Sequence, residues 1–271
     1  MTESLPAVGR TAVGVAALRA LESRRPDRLF DDPYATAFYA AGRSVLPATR
    51  DGLGQIFASQ VAIRTRFYDD YLLDAGCPQV VLLAAGLDAR AFRLPWPPGT
   101  RLFELDLPEV LAFKDRVLAG QGAQPSCERV AVGVDLRGDW AAALRTAGFD
   151  ARVPAAWLAE GLLVYLSRED ADRMLTTVSE LSAPGSRVSF EHGTTDTPDS
   201  LLTRAKATPD GEHVTRLWKG GLGDQAPRWL GEHGWEPATV TRSALAARYG
   251  RQDEQTPDGF VTAVRQSSTL R

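Results

Sequence analysis

QVVLLAAGLDARAF, residues 79–92, decides the fold. Val80 to Leu83 form an unbroken apolar run, the pattern of a strand buried on both faces, as in a parallel sheet. Ala84, Ala85 and Gly86 follow, side chains small enough for a ligand to approach the backbone closely. Such a strand turning sharply into a helix is where open α/β sheets bind adenosine-containing cofactors. Twenty residues after Gly86, the run RLFELDLP carries Asp106, the distance at which a carboxylate ending the second strand reaches ribose hydroxyls. Glu104 and Asp106 share one face of that strand. Carboxylates are depleted in strands, so the pair points to hydrogen bonding with a ligand's hydroxyls. Asp106 can equally cap the helix that opens at Pro108.

Working outward, strand and helix patterns alternate. Strands are expected near 80–84, 101–105, 130–134, 156–163 and 186–191, and helices near 88–92, 108–119, 138–147 and 168–182. That alternation predicts an α/β fold with a mostly parallel sheet and helices on both faces. Before it, residues 11–24 place Val13, Ala16, Ala17, Ala20 and Leu21 on one helix face. Asp32-Pro33 opens a second helix through about Ala40, and Ile56–Asp74 forms a third. Residues 1–75 thus read as a helical cap on a single domain spanning 1–271. Residues 194–225, rich in Thr, Asp and Gly, read as a lid or insertion. Trp235–Thr241 and Gly259–Arg265 read as closing strands, paired antiparallel, with a helix over 243–249 between them.

A chain of 271 residues, 44% hydrophobic and 24% charged, with a formal net charge of -3, is sized for one core or one core with a cap. Nothing in that balance draws it to nucleic acid or to a membrane. Arg24, Arg25 and Arg28 are interleaved with Asp27, Asp31 and Asp32, the pattern of a solvated mixed face. Cys77 and Cys127 match no metal spacing and make no disulfide framework, so free thiols and a cytoplasmic location are expected. No apolar run approaches a bilayer span.

A dinucleotide-binding loop needs G-x-G-x-x-G to lay a pyrophosphate on bare backbone. Here those positions hold Ala84, Gly86 and Ala89. Asp88 stands where the helix dipole would otherwise receive phosphate. A cofactor with adenosine but no phosphate suits the turn better, which means S-adenosyl-L-methionine; a tight turn that binds nothing is the plainer alternative. Asp135-Leu136 follows the third strand, where a carboxylate can accept from an adenine amine and the next N–H can donate to the ring. Glu160 lies inside the apolar segment WLAEGLLVY, where an ionised carboxylate needs a partner. The ammonium or sulfonium end of the cofactor would serve, and so would a core arginine. Arg64, or Arg66, could clamp the methionine carboxylate in bidentate fashion, or pair with Asp69 or Asp70. His192, after the fifth strand, is the candidate base.

Taken together, RALESRRPDRLFDDPYA, RTRFYDDYL, QVVLLAAGLDARAFRL, FELDLPEVLAFK, VDLRGDW, VPAAWLAEGLLVYLSREDADRML and LSAPGSRVSFE, in order across about residues 19–191, resemble the leucine carboxyl methyltransferase-like family, in particular its actinobacterial branch. The resemblance implies a class I methyltransferase (Rossmann-like) sheet with an N-terminal helical cap and an inserted lid. It implies Arg64 at the methionine carboxylate, Gly86 in the cofactor loop, Asp106 at the ribose, Asp135 and Leu136 at the adenine, and Glu160 near the methionine end. Ala84 departs from the family's usual Gly-Ala-Gly. The expected reaction is methyl transfer to an oxygen of a small molecule. A natural-product carboxylate, already ionised, is favoured over a phenol, which would need a base. A nicotinamide-dependent oxidoreductase and a non-transferring binding protein on the same fold are the rivals.

Overall fold

The computed structural model describes residues 7–45, 52–193, 217–251 and 258–267. Three helices come first: α1 (Ala7–Ser23), α2 (Ala35–Gly42) and α3 (Gly52–Asp74). The second begins at Ala35, with Tyr34 rather than Asp32 at its N-cap, because Asp32 Oδ1 folds the chain into a turn by accepting from the Tyr34 and Ala35 N–H groups, both at 3.1 Å. The sheet comes next: β1 (Gln79–Leu83), α4 (Arg90–Arg93), β2 (Arg101–Asp106), α5 (Pro108–Gly120), β3 (Glu128–Gly133), α6 (Trp140–Thr146), β4 (Ala155–Ala159), α7 (Arg168–Glu180) and β5 (Arg187–His192). It closes with α8 (Ala226–Glu232), β6 (Trp235–Thr241), α9 (Arg242–Arg248) and β7 (Gly259–Arg265).

The seven strands run in the order β3-β2-β1-β4-β5-β7-β6. Strands β1 to β5 pair in parallel, and β7 pairs antiparallel with both β5 and β6. Between β1 and β4 the order reverses, the switch point outside which open α/β sheets hold ligands. All five residues of β1 are buried, because helices cover both faces. Val81 and Leu83 pack with Phe103, Leu105, Trp157 and Met174 on one side. Val80 and Leu82 pack with Ile63, Tyr68 and Leu245 on the other. A third cluster, of Val13, Ala16, Phe38, Val110 and Phe113, fastens α1 and α2 to α5.

The fourth strand is shorter than its apolar run predicts. It stops at Ala159 rather than 163, because Gly161 takes φ +64 and a single 3-10 turn comes at Leu163–Tyr165. Glu160 therefore leaves the sheet at its C-terminal edge instead of lying within a strand. Most of the candidate lid, residues 194–216, falls outside the described residues. Its last part packs against the turn after β4, where the Lys219 and Gly220 N–H groups donate to the Val164 carbonyl at 2.7 and 3.1 Å.

Candidate active site

The turn after β1 is unusual in its backbone. Ala84 has φ +54 and Gly86 φ +51, and Ala84 is the one non-glycine residue with positive φ among those described. The turn is tied to the neighbouring strand. Ala85 N–H donates to the Leu105 carbonyl at 3.0 Å, and Gly86 N–H donates to Asp106 Oδ2 at 2.6 Å. Asp106 Oδ1 accepts from Leu107 N–H at 2.7 Å, so it holds the residue before α5 and makes no side-chain cap to the helix itself. A carboxylate offers about four acceptor sites, so Asp106, only partly buried, keeps capacity for a ligand's hydroxyls. Burial pushes its carboxyl above the usual range, against the pull of those two N–H groups.

Glu104 does not share that role. It is fully buried, 2.8 Å from both Lys114 Nζ and Arg129 Nη2. Two residues back from the strand end, the same sheet face lies under α5 rather than open at the edge, so the shared-face expectation for a ligand holds for Asp106 alone.

Next to β4, ion pairs form a buried network. Glu160 lies 2.8 Å from Arg19 Nη2, 3.0 Å from Arg64 Nε and 2.6 Å from Arg90 Nη1. Arg90, with no exposed surface, also holds Asp69 at 2.7 Å and Asp88, and Arg93 holds Asp69 at 2.7 Å. Arg64 turns its other edge to Glu191, 3.2 Å away. Glu191 in turn accepts from Gly161 N–H, at 2.8 Å to Oε2 and 3.0 Å to Oε1. Burial opposes ionisation of Glu160, but Arg90, Arg19 and Arg64 outweigh it and hold the carboxyl well below the usual range. Burial pushes Glu191 the other way, with Arg64 only partly opposing it.

Several expectations change in this light. The partners of Glu160 are core arginines, the alternative the sequence left open, rather than a space reserved for a cofactor cation. Asp88 does cap α4, its Oδ1 accepting from Arg90 N–H at 2.7 Å. Its charge, though, is neutralised by the Arg90 guanidinium, so repulsion of a phosphate is a weaker argument than it looked. Arg66 belongs to the surface, 2.9 Å from Asp70. Asp135 is 2.5 Å from Arg137 in an exposed pair, and Leu136 packs partly buried on the core beside it. An ion pair this exposed is screened by solvent and weak, so Asp135 can exchange Arg137 for a ligand at little cost. His192 alternates with Glu191 along β5; it shares the face of Val188 and Phe190 toward α7 and α8, away from Arg64. Its Nδ1 is buried without a hydrogen bond.

Four participants escaped the sequence reading: Glu191, Arg19, Arg90 and Arg93. Each carried a signal, a charge at a position patterned for burial. Glu191 is the penultimate residue of the strand RVSFEH, and Arg19 lies three residues after Ala16 on the buried face of α1.

Residues 12–179 match the leucine carboxyl methyltransferase family. The chain belongs to that family. Relatives in Parafrankia, Frankia alni and Streptomyces coelicolor each carry the name "Putative S-adenosyl-L-methionine-dependent methyltransferase". They are 48%, 50% and 44% identical, each over 95% of this chain and over 87%, 94% and 95% of their own lengths. Solved structures share the fold at low identity. A DUF574-family protein from Streptomyces avermitilis has TM-score 0.63 at 17% identity, covering 94% of this chain and 97% of its own. Magnesium protoporphyrin IX methyltransferase from Synechocystis, solved with bound S-adenosylhomocysteine, has TM-score 0.50 at 13% identity, covering 85% and 95%. This methyltransferase uses S-adenosyl-L-methionine, which removes the nicotinamide rival. The sheet is that of a class I methyltransferase, as expected.

Proposed function

We propose that this methyltransferase transfers the methyl group to an oxygen of a small molecule, and that the oxygen is a carboxylate's. The residues fit the cofactor. Asp106, part-exposed at the turn after β1 with acceptor capacity to spare, suits the ribose diol. Gly86 leaves the backbone bare beside it, and Asp135 with Leu136 suits the adenine. Arg64, one-fifth exposed, suits the methionine carboxylate, and Glu160 acts through Arg64 as a positioning residue. When bound, the cofactor supplies a methyl on a sulfonium, a leaving group whose C–S bonding pair stays on sulfur.

The observation that carries the carboxylate reading is the side-chain placement along β5. His192 faces α7 and α8, while Glu191 is already engaged by Gly161 and Arg64. The residues beside the methionine end are therefore arranged to orient a partner rather than to take its proton. A carboxylate is ionised at neutral pH and needs only alignment and exclusion of water, whereas a phenol with pKa about 10 needs a base. The name of the matching family, leucine carboxyl methyltransferase, agrees.

Chemistry of the product separates the two. After incubation with methyl-labelled cofactor and panels of carboxylic acids and phenols, the label should become volatile on alkaline treatment, as a methyl ester releases methanol. Label that survives alkali would mark an ether and overturn the carboxylate assignment.

A further inference from the structure

We infer that Glu191, rather than Glu160, receives the ammonium of the cofactor's amino-acid end, beside the carboxylate held by Arg64. The inference rests on the reading of Arg64 as the methionine-carboxylate contact and deepens it.

Saturation and charge argue it. Glu160 has three guanidinium groups within 3.0 Å, nearly filling the four acceptor sites of a carboxylate. A cation brought to it would meet three like charges. Glu191 has one guanidinium, at 3.2 Å, one backbone N–H and the neutral hydroxyl of Tyr68 beside it. Its side chain is 29% exposed, against 10% for Glu160, 8% for Asp88 and 7% for Asp69. It is thus the carboxylate of the network that a small cation can still reach.

The surroundings add no competing charge. Tyr68, fully buried on α3 beside Glu191 and Glu160, is kept neutral by burial and by those two carboxylates. Across the sheet, Glu191 is in register with Phe260 of β7. Gly161 completes the arrangement: its positive φ aims its N–H at Glu191, and a Cβ there would sit 3.5 Å from Arg64 Nη1. A zwitterion fits this pair, its carboxylate on the part-exposed guanidinium of Arg64 and its ammonium on Glu191. The cluster stays balanced, because Arg19, Arg64, Arg90 and Arg93 already match Asp69, Asp88, Glu160 and Glu191.

The test is calorimetric and needs no turnover. S-adenosylhomocysteine, its analogue lacking the amino group and its analogue lacking the carboxylate are titrated into wild type, Glu191→Gln and Glu191→Asp. Wild type should prefer S-adenosylhomocysteine over the deaminated analogue by about tenfold or more, the scale of a charge-assisted hydrogen bond. Glu191→Gln should bring the two within about threefold of each other, weakening the amino-bearing ligand alone. Glu191→Asp, which keeps the charge, should fall between them and decides the matter if the glutamine variant does not fold. An unchanged preference in either folded variant, or none in wild type, would overturn the assignment. Indifference of wild type to loss of the ligand carboxylate would instead overturn the Arg64 reading, independently of the Glu191 result.

Discussion

Ala84→Gly should make this methyltransferase more stable. Ala84 holds φ +54 in the turn after β1. An L-residue in the left-handed region costs about 1–2 kcal/mol. Glycine removes that cost but returns about 0.5–1 kcal/mol through the freedom it gives the unfolded chain. The lost methyl is only partly buried, so it forfeits less than the roughly 0.8 kcal/mol of a fully buried carbon. A net gain of about 0.5 kcal/mol remains, which for a chain of this size raises Tm by about 1–2 °C. Differential scanning calorimetry resolves a shift of that size. Ala85→Gly is the matched comparison, because Ala85 is buried and lacks a positive φ. It should lower Tm. A Tm for Ala84→Gly at or below wild type would refute the reasoning and show that the surrounding hydrogen bonds, rather than a tolerated strain, set this conformation.

Other expectations concern the two carboxylates at the ends of β2 and β4. Asp106→Ala should weaken S-adenosylhomocysteine binding by about 1–3 kcal/mol through lost charged hydrogen bonds, and wild-type affinity by calorimetry would remove Asp106 from the site. Glu160→Gln leaves Arg19, Arg64 and Arg90 without their shared charge, and breaking a buried pair costs about 3–5 kcal/mol; urea unfolding showing under 1 kcal/mol would mean the arginines re-pair elsewhere. Acid should expose the same group. Because its folded pKa is depressed, Glu160 stabilises the protein above the unfolded carboxyl value of about 4.3 and loses that contribution as pH falls below it. Thermal melts between about pH 3 and 7 should therefore show a steeper acid decline in wild type than in Glu160→Gln, and parallel curves would contradict the assignment.

The sheet was legible because its signals are local. An apolar run four residues long, a small-residue turn and a strand-to-helix junction each arise from neighbours in the chain, and β6 and β7 fell where the sequence put them. The fourth strand overran because a continuous apolar run does not reveal that Gly161 bends the chain out of the sheet. Charged partners were harder to read. Arg19 and Glu160 are 141 residues apart, and only folding shows that three arginines converge on one carboxylate. Glu191 was passed over for its neighbour His192, although alternation along β5 sends just one of them toward Arg64.

A crystal structure with S-adenosylhomocysteine bound should place the ribose hydroxyls on Asp106, the amino-acid carboxylate on Arg64 and the ammonium on Glu191, outside the C-terminal ends of β1 and β4. A ligand whose ribose lies away from Asp106, or whose amino-acid end points away from Arg64, would contradict the assignment.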